Sequence, residues 1–245
     1  MPIGSLTILI YLLGSVIFCL AAVEMAGANA PLPAHKVNRI EKQLIPSAVV
    51  FLLSVAALAG SRFASRLFGP SGREMLDFAY YGLVILLILA TAVIFRDLPS
   101  SVGLSTKNVT TIVFFLIPPL GIAFLPSRFA NWGFLLRALT PAAAAGAFAQ
   151  ELLFRGFLQT RFQLLFGGTK GVFAAAAACA VFGLAANAGV MNPASLAVFT
   201  VGTFLISGVA MGLIYRRTGN IYGLVILHIF WDAAVKVFAG FGVGG

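Results

Sequence analysis

Long apolar runs, broken by short polar stretches that carry Pro, Gly or charge, dominate the chain. A helix needs roughly 20 such residues, at about 1.5 Å each, to cross the hydrocarbon of a bilayer. About eight runs meet or approach that length: 5–24, 45–60, 79–95, 109–125, 141–165, 171–187, 195–215 and 219–240. The run 45–60 is short for a span, and Pro118-Pro119 should kink the run 109–125. Residues 25–44, 61–78 and 96–108 read as polar connections, and 129–139 as an interfacial segment with Trp132 and Arg137 at headgroup level. The first run lacks a basic leader, so it reads as a span rather than a cleaved signal peptide. The pattern predicts an all-α, polytopic membrane bundle of about eight transmembrane helices, forming one domain over residues 1–245.

The fifth run has legible ends. Thr140 before Pro141 suits an N-cap followed by proline at the first helical position, where no N–H is needed. Gly167-Gly168 suits its end. Small residues at 142–146, at 174–178, and at Gly208 and Gly212 allow helices to approach closely.

Composition agrees with the pattern. Apolar residues make up 60% of the chain, charged residues 9%, and the mean hydropathy is +1.03, too apolar for a soluble chain of 245 residues. The net charge of +9 reflects 16 Lys and Arg against 7 Asp and Glu, which suits loops facing anionic headgroups. No basic run interleaved with aromatics is present, which argues against nucleic acid as a partner. Cys19 and Cys179 lie in apolar runs and read as small core residues. With the N-terminus outside, inside connections hold Lys36, Arg39, Lys42, Arg96, Lys107, Arg161, Lys170, Arg216 and Arg217, a slight bias toward that orientation.

Polar groups within spans are costly, and few are present: Gln150, Glu151 and Arg155 on the fifth run, Asn187 ending the sixth, and His228 and Asp232 on the eighth. His35, after Pro33, reads as a surface residue. Glu151 and Arg155 stand at i,i+4 with the acid first, the favourable order for an ion pair that braces the fold. Gln150 lies about 100° around the helix and is free to face a different cavity. His228 and Asp232 share one helix face, either as a structural pair or as part of a site. Counting outward from a hairpin centred between residues 168 and 169 places Gln150 and Asn187 at one depth, and Glu151 level with Ala186.

These residues resemble three motifs of the CAAX-protease/bacteriocin-processing family of intramembrane endopeptidases. Gln150-Glu151-Leu152-Leu153-Phe154-Arg155 is similar to two glutamates followed, after three residues, by arginine. Phe182 to Ala186 is similar to a Phe with a His four residues on, and His228 to Asp232 to a His with Asn or Asp four residues on. The match covers about residues 140–235. The resemblance implies an eight-helix fold with a water-accessible site, a peptide or membrane-protein substrate, and residence in the lipid bilayer of a prokaryotic inner membrane. The site it implies is Gln150, Glu151, Arg155, Ala186, His228 and Asp232.

Two of these positions depart from the motifs. The family's general-base glutamate falls on Gln150, and its second-motif histidine on Ala186. An amide is no base near neutral pH, and a methyl group neither ligates nor hydrogen-bonds. Three explanations stand: an engineered silent form, a natural pseudoprotease that binds without cutting, or an enzyme using Glu151 as base with Asn187 in place of the imidazole. In an intact parent, a carboxylate at 150 would activate water while His228 and Asp232 position it or stabilise the oxyanion. Alternatively, a glutamate at 150, a histidine at 186 and His228 would hold zinc. In this chain that ligand set reduces to little more than His228 and Asp232, so no tightly bound metal or other cofactor is expected. Readings from other classes are a scaffold or immunity-type peptide binder and a small transporter, although no inverted repeat of broken helices is evident.

Overall fold

The computed structural model describes residues 37–104 apart from 66 and 69, residues 140–188 and 192–240, and the isolated positions 14, 17, 21 and 24. The expected run 109–125, the segment 129–139, Cys19, His35 and most of the run 5–24 lie outside the described residues. Among the described residues the secondary structure is helical throughout, with no strand. Helix α1 is Ile40–Ala64 and α2 is Pro70–Phe95. A short 3-10 turn follows at Pro99–Val102. Helix α3 comprises Pro141–Glu151, a π-helical segment Leu152–Gln159, and Thr160–Phe166. Helix α4 is Gly168–Asn187, α5 is Pro193–Thr218 with a π-helical segment Thr200–Ile206, and α6 is Ile221–Gly240.

Local chemistry sets these boundaries. The Thr140 hydroxyl accepts the N–H of Ala143 at 3.1 Å ahead of Pro141. Asn192 does the same for Ser195 at 2.9 Å ahead of Pro193. Each satisfies a helix-start donor that would otherwise lack a partner. Gly167, at φ 91°, turns α3 into α4, and Gly219, at φ 62°, turns α5 into α6. These left-handed conformations suit glycine, which has no Cβ to clash.

Helix α3 is the axis of the bundle. Every residue of Leu152–Gln159 is buried, as expected of a helix enclosed on all sides. Its first part packs on α2 and α6, and its last part on α4. Helix α4 packs in turn on α5, where Gly208 approaches Ala176 and Gly212 approaches Val172. Phe154 of α3 meets Phe182 of α4 edge-on, with ring centroids 5.2 Å apart.

Among the described residues, four helical stretches have the length and composition to cross a membrane: Ile40–Ala64, Glu74–Phe95, Gly168–Asn187 and Pro193–Thr218. In the first two, only 28% of the most apolar window is buried inside the protein. Ile45, Leu52, Val93 and Ile94 point outward instead. An apolar belt of this extent requires hydrocarbon as its solvent, and the chain is an integral membrane protein.

Two expectations need correction. The short run 45–60 is the middle of a 25-residue helix that starts at Ile40, because Gln43 in its first turns is buried and bonded rather than solvated. Arg161, expected among loop cations, is fully buried. Its guanidinium reaches Asp97 at 2.8 Å, the Gln43 side-chain oxygen at 2.8 Å and the Phe157 carbonyl at 3.1 Å, and it stacks over the Phe157 ring. With these partners, the charge needs no route to the headgroups.

Candidate active site

The capped first part of α3 delivers Gln150 and Glu151 to the bundle interior. Glu151 is 2% exposed, and its Oε1 lies 2.7 Å from His228 Nδ1 on α6. Arg155, one turn further along α3, places Nε 3.6 Å from Glu151 Oε2, close enough for an ion pair but too long for a hydrogen bond. On the other side of the imidazole, His228 Nε2 lies 3.7 Å from Asp232 Oδ2. The result is a line of alternating charge and hydrogen-bonding capacity: Arg155, Glu151, His228, Asp232. Its inner end is sealed, and its outer end is open, with the Asp232 side chain 43% exposed.

A cavity of about 430 Å³ runs along this line. Helix α3 contributes Gln150, Glu151, Phe154 and Arg155; α4 contributes Cys179, Phe182, Ala186 and Asn187; and α6 contributes His228 and Asp232. The six positions singled out from the sequence therefore face one space. Gln150, expected to be free to face a different cavity from Glu151, shares this one. The cavity spans enough of the α3 circumference to take in both neighbours. The hairpin pivots at Gly167 rather than between residues 168 and 169, so seventeen residues back to Gln150 correspond to seventeen forward to Leu184, three short of Asn187. Asn187 spends its side-chain amide on the Gly183 carbonyl at 2.9 Å, within its own helix.

Sequence reasoning missed part of the lining. Leu58 and Arg62 of α1, Tyr80 and Tyr81 of α2, and Thr203 and Ser207 of α5 also face the cavity. The adjacent tyrosines at the head of an apolar run were the available signal. Arg62 carried none, because it stood in what read as a connection. It is held near Asp77 at 3.8 Å. The Ser207 hydroxyl donates to the Thr203 carbonyl, so part of the polar surface of α5 is already engaged.

The arrangement can orient a peptide group between aromatic walls and present to it an imidazole backed by a carboxylate. Among the described residues, no three His, Cys, Asp or Glu side chains group as a metal site. His228 Nδ1 is occupied by Glu151, leaving one imidazole nitrogen near a single carboxylate.

Residues 131–234 match the family model described as type II CAAX prenyl endopeptidase Rce1-like. No curated protein and no solved structure matches the chain. The matched stretch includes all of α3, α4 and α5, together with the part of α6 that bears His228 and Asp232. Through these cavity-forming helices, the chain is similar to the Rce1-like CAAX prenyl endopeptidases, a family of membrane proteases.

Proposed function

We propose that the chain is an intramembrane endopeptidase-type protein whose cavity receives a peptide or a segment of a membrane protein. We further propose that the family's route to hydrolysis is closed in it at Gln150 and Ala186. The observation that carries this reading is that both positions line the same cavity as Glu151, His228 and Asp232. A carboxylate at 150 would stand where it can take a proton from water, and an imidazole at 186 would face it across the α3–α4 hairpin. The amide and the methyl group present leave the space and remove the chemistry. A zinc route lacks two of its three ligands for the same reason, and His228 offers one free nitrogen, short of a tetrahedral set.

The test restores both groups. The parent chain and the Gln150→Glu/Ala186→His form are purified in detergent. Each is incubated with a farnesylated peptide ending in three residues beyond the modified cysteine, a secretory leader peptide and a peptide bearing an apolar anchor helix. Fragments are read by mass spectrometry. The doubly substituted form is expected to cut at least one of these roughly 10²-fold faster than the parent, the usual contribution of a positioned base. Equal non-zero rates for the two forms would reject closure at 150 and 186, and absence of cleavage by both forms on all three peptides would leave a non-catalytic peptide-binding scaffold.

A further inference from the structure

We infer that His228 is itself a base for peptide hydrolysis, held in that role by Glu151, and that this second route survives the loss of groups at 150 and 186. The inference rests on the reading that the cavity receives a peptide.

The geometry has three parts. First, the acid lies behind the imidazole. Glu151 is 2% exposed and engages His228 Nδ1 at 2.7 Å, while His228 is 17% exposed and faces the cavity. A carboxylate only accepts hydrogen bonds, so Nδ1 carries a hydrogen, and in the neutral ring Nε2 then presents its lone pair. Arg155, 3.6 Å from the other carboxylate oxygen, supplies the counter-charge that keeps the acid an acceptor. Second, Nε2 faces the open side, 3.7 Å from Asp232 Oδ2. That separation is too long for a direct bond, but it admits a water about 2.8 Å from both atoms, acceptors that between them take both of its hydrogens. Third, Gln150 lines the same cavity one residue before Glu151. Its amide cannot act as a base, but it can donate a hydrogen bond, the requirement for holding an oxyanion.

The step balances without any further reactant. His228 Nε2 takes a proton from the water as its oxygen bonds to the scissile carbonyl carbon. The carbonyl π electrons move to oxygen, and the Gln150 amide donates to that oxygen. The C–N bond then breaks, and the leaving nitrogen takes the proton back from Nε2. A carboxylic acid and an amine result, and His228 returns to its starting form. His228 is the catalytic residue of this step, and Glu151 is a positioning residue.

The chain has two histidines, His35 and His228, which makes the test direct. The full-length protein is labelled with ¹⁵N-histidine in detergent at neutral pH, and His35→Gln assigns the signals. A neutral His228 ring with its proton on Nδ1 is expected. Glu151→Gln, whose amide can donate to Nδ1, is expected to move the proton to Nε2. Cleavage is then followed with whichever of the three peptides the Gln150→Glu/Ala186→His form cuts. Slow cleavage by the parent is expected, with kcat lowered roughly 10²-fold by His228→Ala or Glu151→Gln at little change in KM. Glu151→Asp, which keeps a carboxylate, should recover part of the rate and the Nδ1 proton. A ring protonated on Nε2 or on both nitrogens in the parent overturns the inference. So does parent cleavage no faster than that of His228→Ala while the doubly substituted form is active. If neither form cuts any peptide, the endopeptidase reading falls, and the base role with it.

Discussion

Arg161 Nη2 lies 2.8 Å from Asp97 Oδ2, and neither side chain has any exposed surface. The pair ties α3 to the chain just beyond α2, at the end of α3 remote from Gln150 and Glu151. Around it, Asp97 accepts from the Asn38 backbone N–H at 2.9 Å and from the Gln43 amide at 3.1 and 3.2 Å. The carboxylate therefore anchors α1, α2 and α3 to one another.

Asp97→Ala should leave the Arg161 charge buried without its partner, at a cost on the order of 3–5 kcal/mol. Thermal unfolding in detergent is expected to show a large drop in midpoint, with Asp97→Asn intermediate because it keeps an acceptor. A midpoint unchanged by Asp97→Ala would mean that the corner is held by packing alone.

Arg155 at the cavity end invites a similar substitution with a smaller expected effect. Glu151 keeps its 2.7 Å bond to His228 when the guanidinium is removed. Arg155→Ala should therefore fall toward the lower end of the roughly 3–5 kcal/mol for breaking a buried pair. An Arg155→Ala protein as stable as the parent would remove the bracing role.

Gly156 sits where a Cβ would come within 2.1 Å of the Val102 carbonyl oxygen, a backbone atom that cannot swing away. Gly183 faces a side chain instead, the Phe204 ring at 2.3 Å. Gly156→Ala is expected to destabilise by about 1–3 kcal/mol or more, as overpacking does, and Gly183→Ala by less. The order of the two unfolding midpoints checks this, and the reverse order would mean that the 3-10 turn yields more readily than the ring.

Single restorations at the cavity should do little. Gln150→Glu alone adds a carboxylate beside Glu151 with no imidazole at 186, so it should lower stability through like-charge repulsion without raising cleavage much. Ala186→His alone adds an imidazole without its carboxylate. A cycle of the four forms, read as cleavage rate, is expected to show strong coupling between the two sites. Additive effects would indicate that the two groups act independently.

The readable parts of the sequence are those set by neighbours in the chain. Thr140 with Pro141 and the glycine at 167 mark the ends of α3 by local backbone chemistry, and both marks hold in the fold. The small residues of α4 and α5 meet as their spacing suggested. Contacts between distant segments were not readable. The Glu151–His228 bond joins residues 77 apart and depends on α6 packing against the first part of α3, which no local pattern dictates. Arg161 looked like any cation at a span end because its partner, Asp97, lies 64 residues away. The span 45–60 read as short because its polar first turns are satisfied by tertiary bonds that hydropathy does not register.

The π-helical stretch Leu152–Gln159 separates the two working ends of α3. A π-turn amounts to one residue more than an α-helix needs for the same rise, and each residue turns the helix by about 100°. Glu151 and Arg161 are therefore phased by that extra residue, the first toward the cavity and the second toward Asp97. Deleting one residue within the stretch would relax it to an ordinary helix of the same rise and keep both ends facing their neighbours, whereas straightening it at full length would turn one of the two away.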